Sequence, residues 1–283
     1  MGNVKVAVVQ MDPKLGEIQE NLQKTVSFVN EAGNNGVNLI VFPECSLTGY
    51  CFESREDAQN HALTVGAEWN VQLIAEAKKF NCTIVVGLVE GDGEHLYNSA
   101  LVIGPNGNHG IYRKSHLSEL GVDNFIETDD QPYSLIETEF GKLGVLICYD
   151  LRFPELARIL SLQGADVLVH ITNLPLTGSS QVDILLPARA AENHVYVLSS
   201  DRVGEEKGYQ FLGRSTIYDV DGKVLEEAND QDEMIIYAVL DFNKSKEKDV
   251  FYPPEPGKPG NHKNKLFKSR RPELYSSLTN KYE

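Results

Sequence analysis

The sequence lacks several features that mark common classes of protein. No stretch approaches the roughly 18 consecutive apolar residues of a membrane-spanning helix, so no span across a membrane is predicted. Positive charge is scarce: 26 Lys and Arg stand against 41 Asp and Glu, which gives a formal net charge of −15. Because nucleic acids and anionic membrane surfaces bind clustered Lys and Arg, neither is an expected partner.

Cysteines are few, and they lack the CxxC spacing typical of zinc sites and thioredoxin-like motifs. The four are Cys45, Cys51, Cys82 and Cys148. The amino-terminal segment MGNVKVAVVQMDP has no basic region followed by an apolar core, so it predicts a first strand rather than a secretory signal. We therefore expect a cytoplasmic protein with free thiols.

What the sequence does contain is the pattern of an α/β protein. Its 283 residues, 41% hydrophobic and 24% charged, suffice for one large domain or two small ones. Apolar runs and helical periodicity alternate along the chain. The predicted strands are Val4–Val9, Val37–Phe42, Thr83–Val89, Leu101–Ile103, His109–Tyr112, Tyr133–Glu137, Lys142–Ile147, Val167–Ile171, Val195–Ser199, Ser215–Tyr218, Lys223–Leu225 and Met234–Leu240. The predicted helices are Asn21–Ala32, Val71–Phe80, one that begins at Pro154, and Asp183–Asn193.

Hairpin signals interrupt this alternation. Pro105-Asn106-Gly107 and Asp221-Gly222 each join two predicted strands. Together with the helices they predict two mixed sheets with helices outside, rather than one parallel sheet. No linker divides residues 1–241, which are expected to form one domain. The Pro-rich segment Tyr252–Pro259 indicates that residues 242–283 form an extended arm, part of the same domain or of a dimer interface.

Three reactive side chains each follow a predicted strand: Glu44, Lys114 and Cys148. In α/β sheets, ligands bind outside the carboxyl ends of strands. A thiol at a strand-to-helix turn lies near helix N–H groups, which favour a thiolate and stabilise an oxyanion. Burial raises the pKa of a carboxyl group that follows a buried strand, which suits a general base. Each residue alone also fits a plain structural role as a core cysteine, a solvated glutamate or a surface lysine.

The combination is more specific than its parts. FPE at 42–44, YRKSHL at 112–117 and ICYDLRFPE at 147–155, in this order, resemble the nitrilase superfamily of carbon–nitrogen hydrolases. The resemblance covers roughly residues 4–241 and parts of the arm as well. It continues in ADVLVHITNLP at 165–175, ARAAENHVYVLSSDRVG at 188–204, GRSTIYDVDGKVL at 213–225 and RRPELY at 270–275. It implies a four-layer αββα sandwich, a Glu–Lys–Cys triad, and no need for a metal or an organic cofactor.

Carried over to this chain, the resemblance implies a general base at Glu44 and a nucleophile at Cys148 that forms a thioester. Lys114 and the backbone N–H of Tyr149 would stabilise the tetrahedral intermediate. The expected reaction is hydrolysis of a small linear amide with release of ammonia. N-carbamoyl amines or amino acids, and then nitriles, are the alternative substrates, and a non-catalytic binding protein on the same fold is a more distant alternative.

Other residues are expected to support this site. Arg152 and Glu155 would pair and fix the turn that carries the cysteine, or form an exposed ion pair of small effect. Asn173 would order the loop beside the pocket, or act as a simple turn residue. Tyr50 either lines the pocket or belongs to the core.

The segment after the lysine departs from the family pattern. Many members carry a second glutamate there, whereas this chain offers Asp123 or Glu119. An aspartate in that place would shorten the reach of the carboxylate by one methylene and change the substrate geometry.

The arm also carries apolar residues with few places to pack within one sandwich: Phe251, Leu266, Phe267 and Tyr275. We therefore expect a homodimer or a larger homo-oligomer, as the family resemblance also implies.

Overall fold

Two six-stranded mixed sheets lie at the centre of the computed structural model, which describes residues 3–254, 256 and 262–281. The first sheet contains, in spatial order, β14 (Met234–Leu240), β1 (Val4–Gln10), β2 (Leu39–Val41), β3 (Thr83–Asp92), β4 (His95–Gly104) and β5 (Gly107–Arg113). The second contains, in spatial order, β13 (Val224–Glu227), β12 (Thr216–Tyr218), β9 (Tyr196–Asp201), β8 (Val167–Thr172), β7 (Gly141–Ile147) and β6 (Ile136–Thr138).

Helices cover the outer face of each sheet. On the first sheet lie α1 (Ile18–Asn34) and α3 (Glu68–Phe80), and on the second α4 (Pro154–Leu162) and α5 (Leu186–Asn193). The layers therefore run helix, sheet, sheet, helix, which confirms the predicted αββα sandwich. In the part of the chain that the structure describes, none of the helices is long and apolar enough to cross a bilayer.

Strand β1 shows why the sandwich has two cores. Its alternate residues Val4, Val6 and Val8 belong to the core between the two sheets. Ala7 and Val9 face the other way and pack in the core shared with α1 and α3. Because both faces of the strand are largely buried, apolar residues lie on both of them, and only Lys5 is partly exposed.

Most predicted elements are present, with shifted ends. The hairpin signal at Pro105-Asn106-Gly107 lies between β4 and β5, as predicted. The helix predicted over Asp183–Asn193 begins as a π-helical turn, Gln181–Leu185, and continues as α5. The sequence reading missed α2 (Arg55–His61) and the short hairpin of β10 (Glu205–Glu206) and β11 (Tyr209–Gln210).

The arm is not simply extended. It begins with α6 (Phe242–Lys246) and continues in a hairpin of β15 (Asp249–Tyr252) and β16 (His262–Lys265), followed by 3-10 turns at Pro272–Leu274 and Ser276–Thr279. The prediction that Met234–Leu240 is the last strand is therefore wrong. Part of the Pro-rich segment at 252–259 lies outside the described residues. The domain boundary at residue 241 stays a prediction.

The start of the arm is fixed to the second sheet and to α5. Phe242 is buried and its ring lies 6.2 Å from that of Tyr196. The Nζ of Lys248 donates hydrogen bonds to the carbonyl oxygens of Asn193 (2.9 Å), the last residue of α5, and His194 (2.8 Å), its C-cap. These contacts satisfy orphan carbonyl groups at a helix end.

Candidate active site

The predicted reactive residues meet where strands of both sheets end. Glu44 follows β2, Lys114 follows β5 and Cys148 follows β7. Glu44 and Lys114 are fully buried, and Cys148 is 9% exposed. The charges of Glu44 and Lys114 both act on the Cys148 thiol. The fold therefore brings together three residues that lie far apart in sequence.

Glu44 and Lys114 form a direct ion pair inside the protein. The Nζ of Lys114 donates to Oε1 of Glu44 at 2.8 Å. The second oxygen of Glu44, Oε2, is buried and has no hydrogen-bond partner among the described residues. Burial raises the pKa of Glu44, and Lys114 opposes the rise. One oxygen is thus held in place while the other is open to a proton or a water molecule.

Of the two candidate second carboxylates, the structure brings only Asp123 to the site. Its Oδ2 accepts a hydrogen bond from Lys114 Nζ at 2.6 Å and from the backbone N–H and hydroxyl of Ser118 at 3.0 and 2.8 Å. Glu119 is exposed instead. Burial alone would lower the pKa of Lys114, but Glu44 and Asp123 raise it well above its usual value. The lysine therefore stays a cation between two carboxylates.

Asn98, on β4, is a site residue that the sequence reading missed. Its Nδ2 donates to Glu44 Oε1 at 2.7 Å and to Asp123 Oδ1 at 3.1 Å, so one amide bridges both carboxylates. Its backbone carbonyl accepts from the N–H of Lys114 at 2.8 Å, and its Oδ1 accepts from the thiol of Cys45 at 3.6 Å. The sequence signal was a polar residue within the apolar strand HLYNSALVIG.

Tyr50 belongs to the core below the lysine rather than to an open pocket. It is 1% exposed, and its hydroxyl donates to the carbonyl oxygen of Leu120 at 2.7 Å. The Nζ of Lys114 lies 5.8 Å from the centre of its ring, within the range of a cation–π contact. Tyr50 thus supports the lysine and the loop that carries Asp123.

Cys148 occupies a strained turn. It begins the 3-10 turn Cys148–Arg152 with a φ of 47°, a left-handed conformation that costs a non-glycine residue energy. Asp150 fixes this turn, because its Oδ2 accepts from the N–H of Ile147 at 3.0 Å and from the hydroxyl of Tyr112 at 2.8 Å. Tyr149, 37% exposed, is the second residue of the turn, where N–H groups have no acceptor within the helix.

The thiol of Cys148 is not stabilised as a thiolate, contrary to the sequence-based expectation. Burial raises its pKa, and the charge of Glu44 raises it further. Lys114 and the hydroxyl of Thr172 oppose the rise without cancelling it. The expectation weighed the helix N-terminus, whereas burial and a nearby carboxylate dominate. The surroundings of Cys148 therefore favour the thiol over the thiolate.

The turn of Cys148 is also tied to the segment after Lys114. The N–H and Nδ1 of His116 both donate to Asp150 Oδ1, at 3.1 and 2.7 Å. The His116 ring stacks on Phe153 with a centroid distance of 3.8 Å. These contacts join the segment after Lys114 to the turn that carries Cys148.

Three supporting residues differ from their predicted roles. Arg152 and Glu155 are both exposed, and no ion pair joins them within the described chain. Asp150 holds the turn through His116 and the N–H of Ile147. Asn173 is 1% exposed, yet neither atom of its side-chain amide has a hydrogen-bond partner among the described residues. It therefore does not order its loop through hydrogen bonds.

His170, in the middle of β8, is a structural residue. Its Nε2 donates to the carbonyl oxygen of Cys148 at 3.2 Å, which leaves Nδ1 to accept from the hydroxyl of Ser199 at 2.9 Å. Burial lowers the pKa of His170 to about 4. The imidazole is therefore neutral near pH 7, and it holds the cysteine turn through its hydrogen bond to the Cys148 carbonyl oxygen.

A glycine makes room for Glu44. A Cβ at Gly87 on β3 would lie 2.4 Å from the backbone nitrogen of Cys45, 2.5 Å from the carbonyl oxygen of Pro43 and 2.7 Å from the Cα of Glu44. Only glycine permits this close approach of two backbones. Within the described residues, no group of three His, Cys, Asp or Glu is placed to hold a metal ion.

Comparison with known proteins identifies the family of this chain. The family model described as carbon-nitrogen hydrolase matches residues 5–248. A protein named nitrilase from Pyrococcus abyssi is 39% identical over 273 residues, which cover 96% of this chain and 99% of that protein. Omega-amidase NIT2 of Mus musculus is 32% identical over 256 residues, with 86% and 91% covered.

A solved structure shows the same fold. The crystal structure of Saccharomyces cerevisiae Nit3, described as a member of branch 10 of the nitrilase superfamily, superposes with a TM-score of 0.76 at 28% identity. The match covers 87% of this chain and 92% of that one. From the family match, the relatives and the shared fold, we conclude that this chain belongs to the carbon–nitrogen hydrolase family of the nitrilase superfamily.

Proposed function

We propose that this protein hydrolyses a small linear amide through a thioester on Cys148 and releases ammonia. The observation that carries the proposal is the arrangement of Glu44. One of its oxygens is fixed by Lys114 and Asn98, while the other is buried and unpartnered, and its charge acts on the Cys148 thiol. A carboxylate held in this way suits a general base.

In the first half-reaction, Glu44 takes the proton of the Cys148 thiol as the sulfur attacks the amide carbon. The raised pKa of the thiol makes this transfer necessary, because little thiolate exists beforehand. Negative charge develops on the carbonyl oxygen. The ammonium of Lys114 and the N–H of Tyr149 stabilise it. Glu44 then gives its proton to the leaving nitrogen, the C–N bond breaks, and ammonia departs.

In the second half-reaction, water replaces ammonia. Glu44 removes a proton from this water, the resulting oxygen attacks the thioester carbon, and the C–S bond breaks. The acid leaves, and the proton returns to Cys148. The sum is amide plus water to carboxylic acid plus ammonia, and the protein ends as it began. Lys114 remains charged throughout, since Glu44 and Asp123 raise its pKa.

N-carbamoyl compounds and nitriles would use the same three residues, so the substrate class needs a direct measurement. We would follow ammonia release from a panel of small amides, carbamoyl compounds and nitriles. Cys148→Ala should abolish release, whereas Cys82→Ala should not, because Cys82 is a buried thiol in the core below α3. Intact-protein mass should show an acyl adduct that Cys148→Ala lacks.

The result separates the proposed function from its alternatives. Turnover of amides alone supports an amidase. Turnover of carbamoyl compounds instead supports an N-carbamoyl amidohydrolase, and turnover of nitriles supports a nitrilase. Equal ammonia release by wild type and Cys148→Ala would refute the thioester route. Neither turnover nor an adduct across the panel would favour a binding protein on the same fold.

A further inference from the structure

Cys45, the residue after the proposed base, has an uncommon backbone conformation. Its φ is 49°, in the left-handed region that costs a non-glycine residue energy, and its side chain is fully buried. Its carbonyl oxygen accepts from the N–H groups of Thr48 at 3.1 Å and Gly49 at 2.8 Å, so the surrounding backbone holds this conformation. Strain of this kind is often found at functional sites.

The left-handed turn brings two consecutive side chains to the same partner. Along an extended chain, neighbouring side chains point to opposite faces, yet Glu44 and Cys45 both contact Asn98. Oε1 of Glu44 accepts from Asn98 Nδ2 at 2.7 Å, and the Cys45 thiol donates to Asn98 Oδ1 at 3.6 Å. The base and the thiol therefore hold the two polar atoms of one amide.

The Asn98 amide has to present its nitrogen to the carboxylates. Nδ2 donates to Glu44 and, at 3.1 Å, to Asp123, whereas a flipped amide would place an acceptor oxygen against two acceptors. In the observed orientation, the Cys45 thiol is the hydrogen-bond donor that Oδ1 has among the described residues. Asn98 is 1% exposed, and leaving a buried carbonyl oxygen unpaired costs about 1–3 kcal/mol.

Cys45 is suited to donate a hydrogen bond rather than to react. Burial raises the pKa of its thiol well above the usual value, and the charges of Glu44 and Asp123 raise it further. The sulfur therefore keeps its proton near pH 7. A hydrogen bond from S–H to oxygen is weak by itself. This one matters because it belongs to a buried network in which the same amide bonds two charged groups.

We propose that Cys45 is a positioning residue for the reaction: its S–H donates to Asn98 Oδ1 and thereby directs Asn98 Nδ2 at Glu44 and Asp123. The inference rests on the proposed function and deepens it, because Glu44 is the base of that reaction. Cys45 acts through Asn98, so its effect on the reaction should vanish when Asn98 is absent.

Cys45→Ala removes the thiol and keeps the Cβ, so the substitution adds no new backbone strain. We expect kcat for ammonia release to fall about fivefold, which corresponds to about 1 kcal/mol, while KM changes less than about twofold. The hydrogen bond from Asn98 lowers the pKa of Glu44, so a loosened amide raises that pKa. The acid side of the kcat/KM profile should therefore move to higher pH. The matched control is Cys82→Ala, another fully buried thiol, which should keep both kcat and the pH profile.

A double-mutant cycle separates positioning from packing. Cys45 also packs in a small core with Tyr50 and Phe52, so Cys45→Ala should lower Tm in either case. In the Asn98→Ala background, however, Cys45→Ala should lower kcat less than about 1.5-fold, since no amide remains to be oriented. A fall of about fivefold in both backgrounds, or in neither, would overturn the proposal.

Infrared spectroscopy tests the contact without turnover. The S–H stretching band of Cys45 is the difference between a protein that has the thiol and the same protein with Cys45→Ala. In the Asn98→Ala background this band should move to higher frequency, because the acceptor of the hydrogen bond is gone. In the background of Asn70→Ala, a buried asparagine on α3, it should stay in place. A band that Asn98→Ala leaves unmoved would contradict the contact.

The carboxyl band of Glu44, identified by its loss in Glu44→Gln, reports the pKa of the proposed base without substrate. It should titrate at higher pH in Cys45→Ala than in wild type. If it does, and no amide, carbamoyl compound or nitrile is hydrolysed, the orientation of Asn98 by Cys45 stands and the proposed reaction is wrong. If wild type hydrolyses amides, and neither kcat nor this titration changes in Cys45→Ala, the positioning role is wrong and the proposed reaction stands.

Discussion

Replacing Asn98 by alanine tests whether the two buried carboxylates need their shared amide donor. Asn98 bonds Glu44 at 2.7 Å and Asp123 at 3.1 Å. A hydrogen bond to a charged group contributes about 1.5–3 kcal/mol. Because Lys114 still holds both carboxylates, we expect the variant to lose about 3 kcal/mol of unfolding free energy, less than the sum of two such bonds. At roughly 2–4 °C per kcal/mol, Tm should fall by about 6–12 °C.

Asn98→Ala should lower kcat by more than its loss of stability explains. Without Asn98, Oε1 of Glu44 keeps only Lys114, so the position of the base loosens and kcat should fall about 100-fold. The hydrogen bond from Asn98 also lowers the pKa of Glu44, so its removal raises that pKa. Since Glu44, as the proposed base, accepts a proton only when ionised, the acid side of the kcat/KM profile should move to higher pH.

Asn70→Ala provides a matched control far from the site. Asn70 is fully buried and forms neutral hydrogen bonds with Asn108 at 2.9 and 2.8 Å and with the N–H of Gly66 at 3.1 Å. Its loss should lower Tm by a comparable amount and leave kcat and the pH profile unchanged. If Asn98→Ala loses stability but retains the wild-type kcat and acid limb, the inferred role of the amide bridge is wrong.

Four further predictions follow from the site and the fold. Glu44→Gln keeps the shape of the proposed base but not its proton affinity, so kcat for ammonia release should fall about 10²–10⁴-fold. Tm should fall as well, because Lys114 loses one of its two buried counter-charges. Turnover within threefold of wild type would contradict the proposed role of Glu44 as base. Gly87→Ala should unfold the protein or strongly lower Tm because its Cβ meets backbone at 2.4 Å, whereas Gly91→Ala, on the same strand with its nearest contact at 3.3 Å, should be tolerated. The pKa of His170 falls from 6.5 to about 4 on folding, so the unfolded state binds the extra proton and stability is lost as pH falls through that window. Urea titrations should show that wild type loses about 2 kcal/mol more unfolding free energy between pH 7 and 5 than His170→Gln does. Equal losses in the two proteins would refute this. Light scattering at micromolar concentration should give the mass of a homodimer or larger assembly, and a monomer mass would reject the oligomer expected from the arm.

The sequence predicted those features that depend on local pattern. Continuous apolar runs identified the buried strands, and the turn chemistry at Pro105-Asn106-Gly107 identified a hairpin. The helix α2 was missed, although Ser54 caps it by accepting from the N–H of Asp57 at 3.1 Å. A capping serine is a weak signal when the helix behind it, REDAQNH, has almost no apolar face.

The sequence predicted which reactive residues form the site, but not the contacts between their side chains. Glu44, Lys114 and Cys148 were recognisable because each reactive group follows a strand within a known motif. Two features depend on which side chains meet in the folded chain: the amide bridge through Asn98, and the choice of Asp123 over Glu119 as the second carboxylate. The direction of the Cys148 pKa depends on burial, which a one-dimensional pattern of residues does not contain.

Strand β1 pairs antiparallel with β14, so that Val4 lies opposite Leu240 and Gln10 opposite Met234. During synthesis on the ribosome, β1 emerges first, and the edge of β1 that pairs with β14 stays uncovered until β14 has been made. An apolar strand with an open edge is a template for pairing with other chains. Nascent chains stalled before residue 234 should consequently recruit chaperones or aggregate, and enzyme activity should appear only after the ribosome has released β14.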